Sequence, residues 1–357
     1  MLSRMHLSAR CRGLLLLPVF MLLTGCNTVL MNPSGDIAAQ QGRLIVVSTV
    51  LMLLIVLPVI ALTLLFAYRY RHTNKEATYK PDWDHSVQLE LMIWAAPLLI
   101  VIALGAVTWI STHTLDPYRP LTRIGAERPV APGTKPLVVE VVALDWKWLF
   151  FYPEQGIAVV NELAAPVDRP IQFKITSSSV MNSFFIPALA GQIYAMPGME
   201  TTLHAVINKP GEFEGFSSNY SGAGFSHMRF KFHGLATADF DKWVQGAKGA
   251  GKELSRDGYL QLEKPSEKEP VSKFSTVAPG LFDAIVNRCV GRGTMCIKQM
   301  ASIDARRGLG TAGDTAAGTL ASLNLNLVTS PKSKTLVSAI CTADERIGAP
   351  LPLANAN

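Results

Sequence analysis

No cysteine occurs between Cys26 and Cys289, so the long middle of this 357-residue chain has no thiol. Its chemistry argues against a copper electron-transfer centre there, because soft anionic sulfur holds copper and tunes its potential. Charge is scarce as well. Only 17% of residues are Asp, Glu, Lys or Arg, below the roughly 25% of ordinary soluble domains. The net charge of +6 is spread along the chain rather than gathered in a patch, which argues against a nucleic-acid partner. No glycine-rich phosphate loop opens a helix, and neither a G-x-S-x-G elbow nor an H-E-x-x-H helix is found. Ser217, Ser218 and Ser221 have no evident base partner. His204, His227 and His233, with Met196, Met199 and Met228, lack a carboxylate or thiolate at ligand spacing. His227 and His233 have the same strand parity and are expected on one face. The soluble part therefore reads as performing no chemistry of its own.

What is present is apolar length. Residues 44–68 and 89–111 are nearly uncharged runs, each longer than the ~20 residues a helix needs to cross a bilayer. Pro58 and Pro97 lie inside them, which membrane helices tolerate. The loop 69–88 carries Arg69, Arg71, Lys75 and Lys80, so the positive-inside rule makes it cytoplasmic and turns both chain ends outward. The N-terminus carries Arg4, Arg10 and Arg12 ahead of a short apolar stretch, the form of an export signal over 1–25. Leu23-Thr24-Gly25-Cys26 follows and resembles a lipoprotein cleavage box, with a lipidated Cys26 opening an outer-face segment 26–43. Glu90 sits at the cytoplasmic end of the second run. Such a carboxylate is either solvated among headgroups or functional.

After a polar, proline-marked linker at 112–136 the grammar changes. Short β runs are expected at 137–144, 146–152, 157–160, 170–176, 201–207, 213–216 and 228–232. Seven such runs with Gly/Pro punctuation argue a Greek-key sandwich over 137–235. Trp146 and Trp148 open an aromatic run through Tyr152, read as buried core. Thr237 is expected to cap a helix through Phe240, Trp243 and Val244, and a second short helix is expected at 279–289. These fall in a helical region at 236–300. Cys289 and Cys296 are a plausible disulfide in an oxidising compartment, while the pairing of Cys341 stays open. Residues 301–357, rich in Ala, Gly, Ser and Thr from Gly308 on, read as a low-complexity tail.

One stretch is specific. Val180-Met181-Asn182-Ser183-Phe184 and the loop 217–228, with Ser217, Asn219, Ser221, Phe225 and Met228, resemble the copper loops of subunit II of the haem–copper respiratory oxidases. In the cytochrome c-oxidising branch the pattern is V-x-H-S-[WF] and C-x-E-x-C-x-x-x-H-x-x-M. Here Asn182 stands at the first His position, Ser217 and Ser221 at the Cys positions, Asn219 at the Glu and Phe225 at the second His. Only Met228 is kept. That pattern of loss resembles subunit II of the bo-type ubiquinol oxidases. The resemblance covers about residues 20–290.

The resemblance implies a transmembrane helical hairpin followed by an all-β cupredoxin-like Greek-key sandwich, with short C-terminal helices and a flexible tail. It implies a bacterial inner-membrane protein whose lipid-anchored N-terminus and C-terminal domain face the periplasm. No cofactor is expected in this chain; haems and copper belong to a partner subunit I, with further small membrane subunits beside it. Ubiquinol would be the substrate of the complex, and protons would be moved across the membrane. Glu90 would lie at the mouth of a proton channel, and the aromatic cluster matches one on the electron route to copper. Two other readings are a cytochrome c oxidase subunit II with an active copper relay, and a free-standing lipoprotein binding module.

Overall fold

The computed structural model describes residue 29 and residues 31–78 and 81–307. The export signal, Cys26, Cys341 and the tail from residue 308 lie outside the described residues.

Two helices open the fold: α1 (Asp36–Arg69) and α2 (Val87–Thr114). Both are long and apolar enough to span a bilayer. The first begins earlier than its apolar run. Residues 36–43 are Asp-Ile-Ala-Ala-Gln-Gln-Gly-Arg, helix-compatible but not hydrophobic, and there Asp36, Ala38 and Gly42 are buried. These first turns belong to the soluble domain. The peptide N–H groups of Ser34 and Gly35 donate to the Ala188 carbonyl, and Ala38 N–H donates to that of Leu189.

The presumed linker is not featureless. Strands β1 (Arg123–Gly125) and β2 (Arg128–Pro129) form a small hairpin within it. The strands that follow are β3 (Leu137–Leu144), β4 (Lys147–Tyr152), β5 (Ile157–Val160), β6 (Glu162–Pro166), β7 (Ile171–Ser177) and β8 (Asn182–Phe185). Next come β9 (Ile193–Ala195), β10 (Thr201–Ala205), β11 (Gly211–Ser217) and β12 (Arg229–Leu235). The expected runs each coincide with a strand to within a few residues. The short strands β6, β8 and β9 carry no alternation long enough to read.

Helix α3 (Thr237–Lys248) follows. Ala236 holds its N-cap position with no side-chain cap, and Thr237 is the first helical residue rather than the cap. Beyond it run β13 (Glu253–Leu254), α4 (Arg256–Leu262), β14 (Ser272–Phe274), β15 (Thr276–Val277) and α5 (Leu281–Val286). The region expected to be helical is thus mixed. A separate unit starts at Ile297, and its helix α6 (Ile297–Arg307) runs past the boundary expected at 301.

Two sheets face each other. One has the order β10-β7-β3-β4-β5-β14 and the other β6-β12-β11-β8-β9. Pairing is antiparallel except for β3 with β7 and β12 with β6, the crossovers that a Greek-key sandwich requires. Between the sheets lies a core built on Trp148, Phe150, Phe173, Phe184, Phe230 and Phe232. Trp148 meets Phe184 edge-on at 5.4 Å, and Phe184 stacks on Phe230 at 5.5 Å between ring centroids. Each such pair adds about 0.5–1.5 kcal/mol beyond the area it buries.

The six-stranded sheet is covered on its other face too. Val142, Leu144, Leu149, Phe151 and Val160 pack there against Tyr259, Leu281, Phe282 and Ile285. This explains why every residue of β4 is buried. A strand covered on both sides reads as a continuous apolar run, not as an alternation.

Candidate functional site

At one end of the sandwich the β8 strand and the loop after β11 come together. Ser217 and Ser183 lie on neighbouring strands, with Ser217 paired to Phe184 in register. Five of the six singled-out residues meet in one cradle. Ser217 Oγ, buried, donates to Asn182 Oδ1 and shares a second contact with the Asn219 carbonyl, both at 3.1 Å. Asn182 Nδ2 donates to the Val180 carbonyl at 3.2 Å, and Asn219 Nδ2 to that of Met181 at 3.2 Å. Ser221 Oγ lies 4.0 Å from the buried Met228 Sδ. Phe225 opens the short 3-10 turn Phe225–His227 and packs edge-on against Tyr220 at 5.7 Å. The groups facing each other are two hydroxyls, the Asn182 amide, the Asn219 backbone carbonyl and one thioether. Copper favours thiolate and imidazole instead, and these residues do not fit a thiolate-held dicopper group.

The cradle is buttressed by Gln192, which the sequence pattern did not single out, and by Trp146, which it assigned to the buried core. Gln192 Oε1 accepts from Ser183 Oγ at 3.2 Å and also from Ser218 Oγ. Trp146 reaches across the loop, and its Nε1 donates to the Ser221 carbonyl at 3.0 Å. Its ring leaves no room for a side chain at 224: a Cβ on Gly224 would stand 2.4 Å from Trp146 Cδ2. The sequence signal was Gly222-Ala223-Gly224, two glycines in a loop that nothing else required. Trp148, by contrast, is core. The two tryptophans thus divide between the loop and the interior.

The histidines do not converge. His227 lies in the 3-10 turn, off the strand, and faces Glu267 at 4.0 Å. His233 sits on β12, 3.6 Å from Glu162. The shared face expected from parity fails because β12 starts only at Arg229. His204 lies on β10 with both ring nitrogens buried and unbonded, and burial holds its pKa below the usual imidazole range. Among the described residues no group of three or more His, Cys, Asp or Glu could hold a metal.

Elsewhere, Glu90 occupies the exposed first turn of α2, its N–H bonded to the Ser86 carbonyl. Cys289 and Cys296 are joined by a disulfide. Glu140, on β3, faces Lys174, Asp283 and Glu200. Burial is the main influence on its carboxyl, Lys174 opposes it and the two acids reinforce it, which leaves a pKa of about 7.

The sandwich and its loop pair define a known class of domain. Residues 137–234 match the family described as cytochrome c oxidase subunit II, periplasmic domain, and residues 248–293 match the COX aromatic-rich motif. The second match coincides with the strands and helices that cover the outer face of the six-stranded sheet. The chain is 51% identical over 282 residues to cytochrome bo(3) ubiquinol oxidase subunit 2 of Pseudomonas putida, covering 79% of this chain and 87% of that one. It is 50% identical over 268 residues to ubiquinol oxidase subunit 2 of Acetobacter aceti, covering 74% and 84%. The crystal structure of the periplasmic domain of subunit II of cytochrome oxidase of Bradyrhizobium japonicum is 24% identical. It covers 34% of this chain and 98% of its own, with a TM-score of 0.32. The chain belongs to the ubiquinol oxidase subunit 2 family.

Proposed function

We propose that this chain is the non-haem second subunit of a proton-pumping ubiquinol oxidase, which oxidises ubiquinol and reduces oxygen to water. It stands in a bacterial inner membrane with its sandwich in the periplasm, docked on a subunit I that carries the haems and copper. Further small membrane subunits complete the complex. The observation that carries this reading is the closure of the cradle: Ser217 Oγ bonds to the Asn182 side chain and meets the Asn219 backbone carbonyl, while both Asn amides bond to loop carbonyls, in a set with neither sulfur anion nor imidazole. A lipid-soluble donor reaches the haem subunit within the bilayer and needs no copper relay on the water side. Relatives named ubiquinol oxidase subunit 2 support the same choice.

Two further residues take roles in this reading. Glu90 marks the cytoplasmic mouth of a proton path into subunit I. Its place in the first turn of α2, at the cytoplasmic end of the apolar run, suits a group that meets water before a buried channel. Cys26 carries a lipid anchor.

The test compares donors on the purified complex. Oxygen uptake is expected with ubiquinol and not with reduced cytochrome c. A mixed-valence dicopper signal in the electron paramagnetic resonance spectrum would overturn the reading in favour of a cytochrome c oxidase. Recovery of the chain without any haem-bearing partner would favour a free-standing lipoprotein module.

A further inference from the structure

Charge and apolar lining meet at a groove that the oxidase reading does not use. It lies between α1 and α2 at the ends nearest the sandwich, open to the outside, with a volume of about 320 Å³. Arg43 and Leu44 line it from α1, Val107, Ile110 and Thr114 from α2, and Arg123 at its head. The positions 107, 110 and 114 follow helical spacing, so one face of α2 forms the wall. Two guanidinium groups stand at the groove and no carboxylate lines it. Arg123 is held by Asp36 through contacts of 2.9 and 3.2 Å. Arg43 is exposed and its guanidinium bonds to no described residue.

Arg43 stands at the outer end of the apolar run, where a long basic side chain reaches headgroup depth, and a guanidinium fork matches phosphate oxygens two at a time. Basic pockets between spanning helices bind lipid headgroups on the cytoplasmic side of membranes, and the same chemistry applies at an outer end. We propose that the groove binds one anionic phospholipid of the outer leaflet, its phosphate on Arg43 and its first methylenes along Leu44, Val107 and Ile110. The outward placement rests on the membrane orientation argued above.

The test is native mass spectrometry of the intact, detergent-purified complex, stripped of lipid and supplied with palmitoyl-oleoyl phosphatidylglycerol or phosphatidylcholine. Wild type is expected to keep one more noncovalent phosphatidylglycerol than Arg43→Gln, whose apparent affinity falls about tenfold. Ile110→Trp, which fills the groove, is expected to lose the same molecule. Leu57→Trp, on an exposed stretch of α1 away from the groove, keeps it. Phosphatidylcholine is retained less than phosphatidylglycerol. Equal retention in wild type, Arg43→Gln and Ile110→Trp overturns the site. So does loss of subunit I from Arg43→Gln with the lipid count unchanged, since a partner side chain then fills the groove. A preparation without haem speaks against the oxidase reading, and the lipid count decides the groove in either case.

Discussion

Trp146 has a φ of +67°, a left-handed backbone that costs a residue with a Cβ about 1–2 kcal/mol. Its bond to the Ser221 carbonyl and its ring against Gly222 and Gly224 accompany that strain. Gly224→Ala puts a methyl group into the ring and is expected to destabilise the domain by about 1–3 kcal/mol. A melting temperature unchanged in the variant would show that the loop yields freely. Glu140 gives a test of opposite kind. Its folded pKa, about 7, lies above the ordinary carboxyl value of 4.5, so the folded state binds the extra proton. Stability from this group is full below pH 4.5 and declines as pH rises toward 7. Glu140→Gln should therefore raise the melting temperature at pH 8 more than at pH 5, and an equal shift at both would refute it. At this scale the cradle was legible, because its positions keep a motif spacing. The Trp146 contact was not, since it bridges 75 residues of sequence.

Strand β4 shows what a whole element owes to its neighbours. Lys147 begins it and is buried, with Nζ donating to the Lys264 carbonyl at 2.7 Å and Ser266 Oγ at 2.6 Å. That one side chain pins the segment between α4 and β14. Lys147→Met keeps the stem but removes both charge-assisted bonds, at an expected cost of about 1–3 kcal/mol. Faster limited proteolysis between α4 and β14 would register the released segment; an unchanged cleavage rate would count against the pinning. The strands of 137–235 were legible where apolar residues formed long runs. The strands after α3 were hidden: β14 is three residues long and exists by pairing with β5. The early start of α1 was hidden for another reason. Its first turns are polar in sequence and are buried by the sandwich, not by lipid.

For the molecule as a whole, the predicted consequence of the proton-path reading falls on Glu90. Glu90→Ala is expected to slow oxygen consumption several-fold while the haem spectrum and subunit content of the complex stay as they are. Full activity in the variant would return the carboxylate to a solvated, idle role. The two spans and the sandwich were visible in the sequence because each fills a long stretch with one pattern. The joint between them was not, because it is made by the backbone of Ser34, Gly35 and Ala38 and by the Asp36–Arg123 pair. That joint has mechanical meaning. Gly35 leaves no slack: a methyl there would press to 2.5 Å from the Leu189 carbonyl oxygen. A head clamped at its neck cannot swing out to collect electrons and swing back, as a carrier on a loose tether does. It rides on the hairpin as a fixed canopy, and whatever it contributes is delivered at constant height above the bilayer.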